Sequence, residues 1–228
     1  MIIKPSDYLI DIIEKNPYTL LVIEHLQKFD YPKNVTIKEF CKDTQVPEDL
    51  LIILLNTYTN LSYTQNFCCN RELLPWLVNF LKNSHSYYKN EKYPLINNLL
   101  SELNKSINTN EAKLLSKFFH NYFNEVIEHL DYEEKIVFPY INELLNGKNK
   151  SKLIFSSEEY LEHHNDIEEK LSDLKNLLLH HFKFEKYYNL GRQLIFHLFE
   201  LEFDLKAHSK LEENLLVPSI KKLELNTK

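Results

Sequence analysis

Two glycines, Gly147 and Gly191, are all that the 228 residues contain, and this scarcity restricts the fold more than any other feature. Tight β-turns draw on glycine for backbone angles that other residues reach only with strain, so a β-rich chain of this length would need many more. Long runs of Leu, Lys, Glu, Asn and Ile favour helix. The expected fold class is therefore all-α. Fourteen Tyr and fourteen Phe supply bulk for the seams between helices. The length suffices for one sizeable core with a small accessory unit.

Charge narrows the partners. The formal charge is −6 with a pI near 5.9, and no segment is a sustained basic run. Neutralising phosphates requires clustered Lys and Arg, so nucleic acid is excluded as the main partner. Lys4, Asp7, Asp11, Glu14 and Lys15 interrupt the first twenty residues, and no apolar stretch approaches a membrane span. The expectation is a cytoplasmic protein with no membrane partner. Cys41, Cys68 and Cys69 form an odd set without framework or CxxC spacing, which points to reduced thiols.

Helix signals divide the chain. Asn16-Pro17 predicts the start of a helix through PYTLLVIEHLQKF, which Asp30-Tyr31-Pro32 breaks. Thr36 and Glu39 have capping-box spacing, and Pro47 opens a third short helix that ends near Thr57. Acids and bases balance in this region, so residues 1–57 read as a small helical N-terminal interaction domain rather than a DNA-binding one. Residues 58–72 are polar and aperiodic and read as a linker. Four long helices follow: about 73–103, kinked at Pro94; 110–145, stopping before Gly147; 156–179, opened by Ser156 and Glu159; and 186–223. Long helices with short connections predict an up-down four-helix bundle over residues 73–228.

The second and fourth of these helices share an internal repeat. His129-Leu-Asp-Tyr-Glu133-Glu-Lys-Ile-Val-Phe-Pro139 and His208-Ser-Lys-Leu-Glu212-Glu-Asn-Leu-Leu-Val-Pro218 match in histidine, both acids and proline at identical spacing. Residues four apart share a helix face. His129 with Glu133, and His208 with Glu212, can thus each address one point inside a bundle. Buried carboxylates are costly without partners, which favours metal ligation. His85 in the first long helix and one of the adjacent His163 and His164 in the third complete a set of four imidazoles and two carboxylates. Such a set suits two metal ions. With both glutamates bridging and an oxo or hydroxo bridge added, each ion keeps about one open position. Donors of this N/O type without thiolate suit iron or manganese, and zinc would also bind. His25, His120, His180, His181 and His197 read as surface or packing residues.

These segments resemble the HHE motifs of hemerythrin-like proteins, and more closely those of the di-iron proteins that repair iron–sulfur clusters (the RIC group) and their relatives in Bacteroidetes. HLDYEEKIVFPYI and HSKLEENLLVPSI carry the resemblance, with HNDIEEKLSDL matching the third-helix motif and LKNSHSYYKNEKYPLI the first. The resemblance selects His164 over His163. It implies a non-haem, oxo- and carboxylate-bridged centre of two Fe ions held by His85, His129, Glu133, His164, His208 and Glu212. Oxygen-carrying hemerythrins have a fifth histidine on the third helix, whereas here Glu168 follows His164 by four residues. This favours repair, or iron supply, to iron–sulfur clusters damaged by oxidative or nitrosative stress. Reversible binding or sensing of oxygen or nitric oxide is the alternative. The implied partners are oxygen, nitric oxide or peroxide, with damaged iron–sulfur proteins; the oligomeric state stays open, a homodimer included. The Cys-Cys-Gly-Gly motif common in repair proteins is absent, since Cys68-Cys69 has no flanking glycines.

Overall fold

The computed structural model describes residues 2–28, 34–64, 71–147, 157–180, 182–184 and 186–226, with the backbone alone for 157–166 and 226. The regular structure among them is helical, and the one β-like feature is an isolated antiparallel bridge between Tyr8 and Thr36. The fold is an all-α helical bundle.

Near the N-terminus lie α1 (Leu9–Lys15), α2 (Thr19–His25), α3 (Ile37–Thr44) and α4 (Glu48–Thr59). The predicted capping box opens α3: the Glu39 N–H donates to Thr36 Oγ1, and the Thr36 N–H donates to the Glu39 carboxylate at 2.8 Å. Helix α2 starts later than Asn16-Pro17 implies. Asn16 makes a turn instead, accepting from the Tyr18 N–H through its side chain and from Thr19 Oγ1 through its carbonyl. Its side-chain amide donates to the Tyr58 carbonyl at 2.8 Å, tying that turn to the end of α4.

The long helices are α5 (Leu74–Tyr87), α6 (Tyr93–Ile107), α7 (Asn110–Tyr132), α8 (Phe138–Leu145), α9 (Ser157–His180), α10 (Tyr188–Leu211) and α11 (Val217–Asn226). Thr109 caps α7 through the Ala112 N–H, and Asn108 turns the corner in the left-handed region at φ 49°. The two glycines have distinct duties. Gly147 closes the end of α8 at φ 68°, while a Cβ on Gly191 would collide with the Phe184 ring.

Packing divides the chain into two compact units. One comprises residues 1–84, 138–154 and 206–228, the other 85–137 and 155–205. In the first, Phe80 of α5 sits edge-on to His25 and Tyr58, and Asn83 Nδ2 donates to the His25 carbonyl at 2.7 Å. In the second, α6, α7, α9 and α10 surround a core that includes Leu100, Phe119, Val126, Leu171 and Leu198. There α6 and α7 run antiparallel, with Asn104 on Ser116 at one end and Tyr93 stacked on Phe123, centroids 4.2 Å apart, at the other.

Candidate metal centre

Three of the four stretches bearing candidate ligands contain a π-turn, over Tyr88–Lys92, Glu133–Val137 and Glu212–Leu216, whereas α9, which carries His164, is α-helical throughout. Each π-turn ends two residues before a proline: Pro94, Pro139 and Pro218. Proline has no N–H, and its ring clashes with the carbonyl four residues back. The residue ahead of it reaches five back instead, as the Tyr93 N–H does to the Tyr88 carbonyl and the Val217 N–H to that of Glu212. One extra residue thus enters the turn, and the helix continues beyond it in a new register. The predicted kink at Pro94 is such a turn. The same signal, a proline six residues after Glu133 and after Glu212, stood in the repeat and was not read as a π-turn.

In the second unit Glu133 is fully buried, and its two oxygens face two imidazoles. Oε1 lies 3.2 Å from His129 Nε2 and Oε2 lies 3.1 Å from His85 Nε2. His85 is also fully buried, and its Nδ1 lies 3.0 Å from Glu134 Oε1. Hydrogen bonds from His85 and from Lys89 hold the Glu134 carboxyl down at about 2. Asp131 is likewise held down at about 2 by Lys135 and Lys89. Burial alone would lower the Lys89 value, but Asp131 and Glu134 more than offset it and raise it.

In the first unit His208 and Glu212 are buried on one face, His208 Nε2 lying 3.2 Å from Glu212 Oε1. His208 Nδ1 lies 2.9 Å from Ser84 Oγ, which donates its own proton to the Leu81 carbonyl at 2.7 Å.

One ligand atom from each of His85, Glu133, His208 and Glu212 lies within 4.8 Å of the others, and all four residues are buried. Metal–donor distances of about 2 Å let ions bridge such a span. Two carboxylates at zero exposure would be prohibitively costly as isolated charges. A cation among them removes that cost, and the donor set of imidazole nitrogens and carboxylate oxygens, with no thiolate, is the type that iron and zinc accept. The residues fit a metal centre.

A family model of the hemerythrin HHE cation-binding domain matches residues 78–220, well over half of the chain. The chain belongs to the hemerythrin HHE family. No curated protein and no solved structure gives a significant match. The matched HHE span contains all four clustered residues, and also His129 and His164. His129 meets Glu133 but is not one of the four clustered residues. His164 falls within the backbone of α9, and its side chain, like that of His163, lies outside the described residues.

Elsewhere in the HHE domain, His120 hydrogen-bonds Tyr93 at the surface, and in the first unit His25 packs against Phe80. His197 has more company than its sequence neighbours suggested. Its Nδ1 lies 3.2 Å from Nζ of the buried Lys92, which pairs with Glu200 at 2.6 Å. Burial and then the Lys92 charge lower the His197 value. Spacing of i, i+3 to Glu200 was the available signal. Cys41 is buried, and burial pushes its thiol up to about 12, which makes it unreactive near neutrality. Cys68 and Cys69 lie outside the described residues. Among the described residues no helix is long and apolar enough to cross a membrane.

Proposed function

We propose that this HHE domain holds two iron ions, with Glu133 and Glu212 as bridging carboxylates and His85, His129, His164 and His208 as imidazole ligands. The observation that carries this reading is Glu133, whose two oxygens each face the Nε2 of a different histidine. A carboxylate so placed can serve two ions at once, whereas a single ion pair would need only one partner. His208 and Glu212 repeat half of that pattern, and His164 is assigned to the other half. Iron bound there would supply redox and Lewis-acid chemistry. The protein's own part is to hold both carboxylates in a dry site and to turn Nε2 of His85, His129 and His208 toward them.

The proposed role is repair of, or iron supply to, iron–sulfur clusters damaged under oxidative or nitrosative stress in the cytoplasm, with oxygen, nitric oxide or peroxide as small ligands. The test is reactivation of an oxidatively damaged cluster enzyme by the iron-loaded protein. Recovery of activity is expected, and no recovery beside a working positive control would reject repair. A second reading, reversible gas sensing, draws on one contact path. Ser84, which backs His208, adjoins Asn83, which holds the His25 carbonyl at the end of α2. Stopped-flow spectra of the reduced protein separate the two: gas-driven iron release supports supply, and reversible binding without iron loss supports sensing.

A further inference from the structure

The second acid of the His-x-x-x-Glu-Glu repeat has no task in metal ligation, and its two copies behave differently. Glu213 pairs with Lys210 at partly exposed positions. Glu134 Oε1 lies 3.0 Å from His85 Nδ1 and 2.9 Å from Lys89 Nζ. Glu134 Oε1, which already accepts from Lys89 Nζ, accepts from His85 Nδ1 as well, and Nε2 is left to face Glu133. Lys89 also donates to Asp131 Oδ1 at 2.7 Å, and Lys135 donates to Asp131 Oδ2 at 2.7 Å. The imidazole is therefore fixed by a charged chain of four residues. His208 is fixed otherwise. The Ser84 hydroxyl spends its proton on the Leu81 carbonyl, so toward His208 Nδ1 it acts as a neutral acceptor.

We infer that Glu134, held by Lys89, is a positioning residue that locks His85 with Nε2 toward the metal and makes it a stronger donor than His208, so that the two bound ions are inequivalent. The inference rests on the metal-binding reading above. A carboxylate behind a ligating imidazole fixes ring orientation and raises basicity, and a hydroxyl does so only weakly. The sequence repeat conceals this difference, because the partners lie outside it: Glu134 meets His85 of α5 and Lys89 of the π-turn after α5, and His208 meets Ser84 of α5.

Two readouts test it on the full chain. In metal-free protein labelled with nitrogen-15 histidine, His85 should show an exchange-protected Nδ1 proton that Glu134→Ala abolishes and Glu134→Gln retains. In titrations with cobalt(II), Glu134→Gln should weaken one of two equivalents by about 10- to 100-fold. Lys89→Met should shift the same equivalent in the same direction, and Ser84→Ala should cost clearly less, on the other equivalent. Glu134→Gln keeps the shape of the side chain, and matching thermal melts confirm that it folds. Equal losses from Glu134→Gln and Ser84→Ala would overturn the inequivalence. A His85 proton indifferent to Glu134→Ala would overturn the positioning role even if metal binds normally. A wild-type chain that shows the proton but takes up no cobalt would refute the metal-binding reading, and with it the donor role, while leaving the hydrogen bond intact.

Discussion

The segments around Glu133 and around Glu212 carry the same motif, yet they are finished differently. Both place a histidine four residues before a fully buried glutamate, at 3.2 Å, and both begin a π-turn at that glutamate, with a proline two residues beyond the turn's end. The shared letters thus specify shared backbone. Around Glu133, however, a second imidazole and a carboxylate–lysine chain gather. Behind His208 Nδ1 stands the Ser84 hydroxyl instead. Local geometry follows from the repeat itself, while electrostatic character is set by which elements pack beside it.

The largest expected effect tests what the two segments share. Glu133→Ala and Glu212→Ala should each lower iron affinity by more than about 100-fold, beyond the loss typical of outer-shell changes. Loss of iron from one variant only would break the symmetry of the pair. Next come Pro139→Ala and Pro218→Ala. Each frees the helix to close with ordinary i, i+4 bonds, which turns one end relative to the other by roughly 100°. Iron affinity should fall about 10-fold or more, toward the outer-shell range, while the metal-free protein melts no lower than wild type, because an interior proline is itself unfavourable. A crystal structure of Pro139→Ala with the π-turn intact would show that proline is not its cause.

Smaller effects address what differs. Glu213→Gln should leave metal affinity unchanged and stability within about 0.5 kcal/mol, as expected for a partly exposed ion pair. A loss as large as that of Glu134→Gln would show the two acids to be equivalent after all. Asn83→Ala should cost about 1 kcal/mol, the worth of one neutral hydrogen bond, read by denaturant unfolding. Greater harm to iron binding than to stability would show that the α2 contact is coupled to His208.

Much of this was legible in the chain. Scarce glycine and long runs of Leu, Lys, Glu, Asn and Ile announced helices, and the capping box of Thr36 and Glu39 forms as their spacing implied, whereas the Thr109 cap of α7 was not picked out. The four clustered residues all stand among those the repeat and the first-helix motif single out. What escaped depends on contacts distant in sequence. Glu134 reaches His85 across 49 positions, and Ser84 reaches His208 across 124. No spacing rule connects such pairs. The π-turns escaped for another reason: a proline inside a helical pattern reads as a kink, and only the backbone shows that the helix absorbs it by widening one turn.

Iron analysis with an optical spectrum, on wild type and Glu212→Ala expressed in iron-supplemented medium, tests the metal centre most directly. The expected result is about two irons per wild-type chain, with both lost in the variant and the helical signal retained. A wild-type protein that folds equally well without metal, or a variant that keeps its full iron, would contradict it.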